Sequence, residues 1–558
     1  MLRTSMMNRL FRGAALFALL LVAACSPART VKTDKASAPV TLTVLHTNDT
    51  HSSYGGVTDK GLVCYTASCE GGRGGYVRLD QAVRAVRKDS PDALFLDAGD
   101  ISQGTLFWTQ HKERMPMALI DKMGYQAIIP GNHEFDQGWP TWLRLVDSLK
   151  TPVLSANISF DPRPDSPAAD KILPYAILER NGQKIGIVGL TTENTPATSA
   201  PGSGISFNDA QKAMETAIAD LTARNVRIII ALTHIGLEND RLLARSLNGV
   251  DIIVGGHSHS LLSNTDKRAE GPYPIVEKTP EGAPVLIVTT STACVYMGRL
   301  DVEFDGNGVA TAWRGGPVLL DQAGLAALEA PGPNAELTQL VEGFAAPVME
   351  MMTTKIGAVN AAGKDGSPLE EPDIMECRRR ECLTGNITAD ALRVVPFKEA
   401  EIALVNGGLM RVSLPGGAVT PGDVIGTLPF QNTPLMGAIP GSVILLALEH
   451  GVAKYGDREG SFLQVSGLRY AFNPANAPGS RITMAEASDK GGQWRPLDKN
   501  ATYRVVIPDF LASGGDGFDM FVPLQWEEGG MLASDALRTY LEQHSPVKAG
   551  QEGRITRQ

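Results

Sequence analysis

The sequence predicts an α/β protein, α+β overall, built of two domains joined by a helical linker. Three observations predict it. At 558 residues the chain is longer than one domain of ~100–200 residues. Between residues 40 and 320, strand-like and helix-like stretches alternate, the pattern of a sheet with helices on its faces. A long helical stretch then interrupts that alternation before a second α/β region begins at residue 357. The expected segments are 1–24, a signal; 25–38, a tether; 39–325, the first domain; 326–356, the linker; and 357–553, the second domain.

The first segment is a targeting sequence. Arg3, Arg9 and Arg12 are its only charges, and "AALFALLLVAA" follows. That run is shorter than the ~20 residues that span a bilayer and reads as the apolar region of a secretory signal. It ends in "LVAAC", which resembles a bacterial lipobox. The resemblance implies a lipidated Cys25 at the start of the mature chain and, with Ser26 after it, an exported outer-membrane lipoprotein on the periplasmic side. The alternative is an ordinary cleaved signal with a chance cysteine. Residues 26–38, "SPARTVKTDKASA", are small and polar and read as a flexible tether to the membrane.

The first domain is read from its runs. "VTLTVLHT" precedes the helical "YVRLDQAVRAVRK", which precedes "ALFLDAGD". "PMALIDKMG" precedes "YQAIIPGNH", and "FNDAQKAMETAIADLTARN" precedes "VRIIIALTH". Short β-branched runs without polar alternation fit strands buried on both faces. In the linker, "PNAELTQLVEGFAAPVMEMMTTKIG" carries apolar residues at helical spacing, interrupted by Pro347. The second domain has its own strands, "EIALVNGG" and "ATYRVVIP", and the glycine-rich "SGGDGF".

Composition narrows the partner. The chain is 43% hydrophobic and 20% charged with net charge −10. No basic face is available for a nucleic-acid polymer, whereas a small phosphate needs only a few local cations. Four of the six cysteines fall into close pairs: Cys64 and Cys69 bracket "YTAS", and Cys377 and Cys382 bracket "RRRE". An exported compartment permits disulfides across such short loops, which would shape local turns rather than hold the fold. Cys294, in the strand-like "STACVYMGRL", reads as a buried free thiol.

The chemistry gathers at strand ends. "VLHTNDTH" ends in Asp49 and His51, "ALFLDAGD" in Asp100, "QAIIPGNH" in Asn132 and His133, "VRIIIALTH" in His234, and "VDIIVGGHSH" in His257 and His259. Ligands in open α/β sheets collect at the carboxyl ends of strands, so residues far apart in sequence can converge. Residues two apart on extended backbone point the same way, which pairs Asp49 with His51 and His257 with His259. Nearby glycines at 99, 131, 255 and 256 let the turns approach an ion closely. Carboxylate oxygen with imidazole nitrogen suits Zn, Mn or Fe better than an all-oxygen calcium site. Any one of these pairs alone reads as a satisfied turn. Together, their buried imidazoles would have no offset for desolvation without metal or catalysis.

The ordered set "NDTHS", "DAGD", "GNHEFD", "THIG" and "GGHSH" resembles the calcineurin-like metallophosphoesterases and, more narrowly, the 5′-nucleotidase family. The likeness runs from about residue 40 to 545. It implies a metallophosphoesterase β-sandwich flanked by helices, a helical linker and a carboxyl-terminal α/β substrate-binding domain. It implies two divalent metal ions, Zn or Mn with Co or Mg as substitutes. By motif position, Asp49, His51, Asp100 and His259 would hold one. Asp100, Asn132, His234 and His257 would hold the other, with Asp100 shared; the position of His259 varies in such proteins and can be Gln or Asn. His133 and Asp136 would form the catalytic pair, the carboxylate fixing the ring. Glu134 reads as an acid behind the site or on the surface, and Asp136 has the alternative reading of a helix N-cap.

The same resemblance assigns a nucleotide site to the second domain. It places Arg378 of "CRRREC", Asn406 and Arg411 of "NGGLMR" on the substrate phosphate, Arg378 being taken over Arg379 and Arg380 for its place after Cys377. Phe430 of "LPF" and Phe510 of "FLASGGDGF" would sandwich the base, and Asp516 would accept the ribose hydroxyls. Guanidinium matches phosphate in a fork, and aromatic stacking tolerates any base. Singly, these are core phenylalanines and a turn aspartate. The activity implied is hydrolysis of nucleoside 5′-monophosphates. The same scaffold in other hands cleaves 2′,3′-cyclic nucleotides and 3′-nucleotides, or UDP-sugars and NAD. A nucleotide-binding surface lipoprotein without turnover is the non-enzyme alternative.

Overall fold

The computed structural model describes residues 40–558 apart from 60–62, 68, 70, 162–165, 181, 200, 362–373, 431, 456–459 and 490. The signal, the tether and Cys25 lie outside the described residues. The first domain is a two-sheet sandwich. One sheet has seven strands in the order Ala310–Leu319, Tyr296–Phe304, Val40–Thr47, Leu94–Asp97, Ala127–Ile128, Val153–Leu154, Ile172–Leu173. The other has six: Ile275–Lys278, Pro284–Val288, Ile252–Gly255, Ile228–His234, Gln183–Thr191, Tyr175–Arg180. Val40–Thr47 pairs in parallel with Leu94–Asp97, and Ile228–His234 in parallel with Ile252–Gly255. These parallel strands therefore deliver their carboxyl ends to one edge of the sandwich.

The apolar faces explain the layering. Leu42, Val44, Leu94 and Leu96 of the seven-stranded sheet share one core with Ile187, Ile230, Leu232 and Ile253 of the other. The opposite face of the seven-stranded sheet, with Leu45 and Phe95, is covered by Tyr76–Asp89, Arg114–Met123 and Trp139–Ser148. The linker contains the helix Ala335–Thr353, capped by the Asn334 side chain. Its buried residues Leu337, Val341, Ala345 and Val348 recur at helical spacing and pack into that same first-domain core. Pro347 lies inside the helix.

The second domain is built on a five-stranded sheet, in the order Leu463–Ser466, Ile402–Asn406, Thr502–Pro508, Pro434–Pro440, Glu527–Glu528. One face packs on the helices Leu383–Val394 and Ala533–His544, the other on Gly441–Ala453. Disulfides join Cys64 to Cys69 and Cys377 to Cys382, and Cys294 is a buried free thiol. Among the described residues no helix is long and apolar enough to cross a membrane.

Candidate metal centre and active site

The loops that carry Asp49 and His51, Asp100, and His257 and His259 turn sharply after their strands. Asp49, His51, Asp100, His257 and His259 all have φ between 45° and 77°, a region costly for residues with a Cβ. The extended D-x-H and H-x-H geometry expected from spacing is therefore not what aims these side chains. The left-handed turns are held instead by hydrogen bonds between loops: Asp49 N–H donates to Gly99 O and His51 N–H to Asp100 O, both at 2.9 Å. Gly131 is needed where it stands, because a Cβ there would lie 2.1 Å from Asp100 Oδ1.

The turns bring the ligand types together. Asp49 and Asp100 are almost completely buried. His234 Nε2 lies 2.9 Å from Asp100 Oδ2 and 3.9 Å from Asp49 Oδ1. His51 Nε2 lies 3.9 Å from a carboxylate oxygen of each aspartate. His259 Nε2 is 3.5 Å from Asp49 Oδ1 and 3.0 Å from His51 Nε2. Three triads offer ligand atoms within 4.8 Å of one another: Asp49, His51 and His259; Asp100, His234 and His257; and His51, Asp100 and His133. Asp100 belongs to two of them, and Asn132 lines the same cavity.

These donors fit divalent cations. Two buried carboxylates need countercharge, and the close approach of two imidazole nitrogens is natural around a shared cation. Without metal, protons must serve. Burial opposes a charge on His234, but Asp100 and Asp49 outweigh it and push that imidazole up to about 10. Burial likewise resists ionisation of Asp100, while His234 and His133 hold it well below the usual carboxylate range. His257, buried beside His234, falls to about 3. Mixed oxygen and nitrogen donors of this kind suit Zn, Mn or Co.

Around the cluster, neighbouring side chains fix orientation. His234 Nδ1 is 2.7 Å from the Ala98 carbonyl, which leaves Nε2 to face the carboxylates. Asn48 donates to Asp49 Oδ2 at 2.7 Å and accepts from Thr290 N–H at 2.9 Å. Glu134 is buried behind the site, not on the surface. Its carboxylate accepts the backbone N–H groups of Asp100, Ser102 and Gly131 at 2.9, 2.8 and 2.7 Å, tying the Asp100 loop to the Asn132 loop. Thr233 donates to Asp240 at 2.6 Å just beneath His234.

His133 and Asp136 form a pair, His133 Nδ1 to Asp136 Oδ2 at 2.8 Å, and Ser199 donates to the other oxygen at 2.7 Å. Burial opposes the imidazolium of His133, but Asp136, Glu528 and Asp100 outweigh it and raise the ring well above its ordinary value. Asp136 is not a helix N-cap: it closes the short 3-10 turn His133–Phe135, and the next helix starts at Trp139 with Gly138 as its N-cap.

In the second domain, Asn406 donates to Asp516 Oδ2 at 2.9 Å, and the Arg411 guanidinium sits 4.8 Å over the Phe430 ring. Arg379 and Arg380 both pair with Glu376. Arg378 is different: its charged neighbours are Arg411 and Asp516. Asp516 has φ 53° in the glycine-rich turn. Phe510 is 40% exposed and lines the metal-side cavity, whereas Phe430 lines an adjoining one that also reaches His259. Sequence reasoning missed Asn48, Ser199 and Glu528. Only Asn48 carried a signal, being the neighbour of Asp49 in "NDTH".

Comparison with known proteins places this geometry. Residues 42–261 match the calcineurin-like phosphoesterase family and residues 349–523 the 5′-nucleotidase C-terminal domain. Human 5′-nucleotidase is 32% identical over 535 residues, covering 92% of this chain and 90% of that protein. The snake venom 5′-nucleotidase of Naja atra is 30% identical, covering 92% and 98%. Among solved structures, the 5′-nucleotidase precursor of Thermus thermophilus is 36% identical with a TM-score of 0.60, covering 93% of this chain and 99% of that one. The NAD nucleotidase of Haemophilus influenzae is 25% identical with a TM-score of 0.72, covering 93% and 100%.

Proposed function

Because the chain belongs to the 5′-nucleotidase family and is a phosphoric-monoester hydrolase, we propose that it is an exported, metal-dependent enzyme that converts nucleoside 5′-monophosphates to nucleoside and phosphate. The observation that carries this reading is the convergence of Asp49, His51, Asp100, His234, His257 and His259 at one edge of the sandwich. With Asn132 beside them, these are the residues that would hold two divalent ions, Asp100 between them. Such ions supply Lewis acidity and lower the pKa of an attacking water.

The chain's own residues then divide the work. His133, oriented by Asp136, whose charge favours the protonated ring, offers Nε2–H to a phosphoryl oxygen and stabilises the charge that develops there. Arg378, Arg411 and Asn406 grip the phosphate, Phe430 and Phe510 hold the base between their rings, and Asp516 accepts the ribose hydroxyls. Arg378 and Arg411 are not among the described residues lining the metal-side cavity. Productive binding therefore requires the second domain to turn on the first, with the hinge in the linker where the helix Ala335–Thr353 ends. The two disulfides suit an oxidising exported compartment, and lipidation at Cys25 would anchor the enzyme to the outer membrane.

The test is phosphate release by metal-stripped protein reconstituted with Zn²⁺, Mn²⁺ or Co²⁺, on 5′-AMP, 3′-AMP and 2′,3′-cyclic AMP. The reading expects 5′-AMP to be cleaved fastest by a wide margin; preference for either of the others would replace it. A second reading, hydrolysis of the pyrophosphate of NAD or UDP-sugars, is favoured by the likeness to the Haemophilus NAD nucleotidase. Adding NAD and UDP-glucose to the panel decides it.

A further inference from the structure

The carboxylate of Glu528 belongs to the short edge strand Glu527–Glu528 of the second domain, yet it reaches into the first domain's active site. Its Oε1 lies 3.3 Å from His133 Nε2, and its Oε2 accepts from Asn132 Nδ2 at 3.4 Å. The side chain is only 11% exposed. It closes a cavity of about 600 Å³ whose walls are His51, Asp100, His133 and His257 on one side and Asn432, Asp509 and Trp526 on the other.

These contacts are those of a phosphoryl oxygen. A carboxylate and a phosphate both present paired anionic oxygens to N–H donors, and His133 Nε2 and Asn132 Nδ2 are the donors a bound phosphate would use. In this arrangement the described second-domain residues that line the cavity include Glu528, Asp509 and Phe510 but neither Arg378 nor Arg411. Glu528 and those arginines cannot occupy the cavity at once.

We propose that Glu528 is an autoinhibitory latch: it holds the resting domain arrangement by occupying the phosphate position against His133 and Asn132, and it must withdraw before substrate can be gripped. Substrate, phosphate product and Glu528 then compete for one place. Removing the latch tightens phosphate binding and shifts the domains toward the turned arrangement, because a ligand that binds only one state must overcome whatever stabilises the other. The proposal rests on the reading of His133 as a phosphate-contacting residue and of Asn132 as a metal ligand whose amide nitrogen faces the same cavity.

The experiment uses full-length, metal-loaded protein with inorganic phosphate as probe, as wild type, Glu528→Gln and Glu528→Ala. Calorimetry measures phosphate affinity. Spin labels at Leu242 and Leu446, both more than half exposed on helices of different domains, measure the interdomain distance without phosphate. The latch predicts phosphate binding on the order of tenfold tighter in both variants, with a distance distribution shifted from that of wild type. Phosphate affinity unchanged in both, or an unchanged distribution, overturns the latch and leaves the metal site standing. Failure of metal-loaded wild type and both variants alike to bind phosphate overturns the reading of the site, and the latch with it.

Discussion

Replacing Glu134 tests how the metal centre is held, since this residue touches no proposed ligand side chain and works through backbone. Its Oε2 accepts the N–H groups of Asp100 and Gly131, and its Oε1 that of Ser102. Glu134→Gln places an NH₂ at one end. The less damaging flip keeps the two bonds at one oxygen, weakened by loss of charge, and sets NH₂ against Ser102 N–H. One buried charge-assisted hydrogen bond is then lost, at about 1.5–3 kcal/mol. Because that carboxylate fixes the turn carrying Asp100, metal affinity should fall about 10–100-fold, the usual effect of removing a group behind the ligands. Glu134→Ala orphans all three N–H groups, at about 1–3 kcal/mol each, and should also lower the melting temperature of metal-free protein. Metal affinity is read by competition with a chelator. A Glu134→Gln protein that binds metal within twofold of wild type would refute the reasoning, because the loop would then hold Asp100 without its anchor.

Three further outcomes are expected. Arg378→Ala should lower kcat/KM for 5′-AMP by about 10–100-fold, the scale of one charge-assisted phosphate contact, while Arg379→Ala, whose side chain is paired with Glu376, should stay within about twofold. Phe430→Ala and Phe510→Ala should each raise KM for 5′-AMP on the order of tenfold, from stacking of ~1–3 kcal/mol per base; ribose 5-phosphate, which has no ring to stack as a base does, should be cleaved as before. Burial pushes Asp240 up to about 7, so the native state keeps a proton that the unfolded chain, with an ordinary carboxylate near ~3.9, releases. Its cost is absent below pH ~4, grows as pH rises and is complete above 7, at up to ~4 kcal/mol. In metal-free protein the stability advantage of Asp240→Asn over wild type should therefore widen from pH 5 to 7 by denaturant titration; a constant difference would exclude Asp240 as the titrating group.

What could be read from sequence and what could not have physical reasons. The two-layer first domain was legible because its buried strands are uninterrupted apolar runs, such as Ile228–His234, and because chemistry-bearing residues stand directly after them. The linker helix was legible from the spacing of Leu337, Val341, Ala345 and Val348. The local conformation of Asp49-Thr50-His51 was not. Left-handed φ at non-glycine residues is imposed by hydrogen bonds that Asp49 and His51 N–H donate to carbonyls of the Gly99–Asp100 loop, a partner far along the chain. Glu134 was ambiguous because its partners are backbone N–H groups, which leave no mark in residue type. The distinction of Arg378 from Arg379 and Arg380 depends on Glu376 reaching two of the three. Glu528 was invisible for a different reason: its position against His133 belongs to the arrangement of two domains, not to any local pattern.

The central claim is a pair of cations sharing the Asp100 carboxylate, and anomalous scattering from crystals of active, Zn- or Mn-loaded protein tests it most directly. The account predicts two peaks ~3.5–4 Å apart, one among Asp49, His51 and His259 and one among Asn132, His234 and His257, with Asp100 in contact with both. A single peak, or two peaks with Asp100 touching neither, in crystals that turn over nucleotide would contradict it.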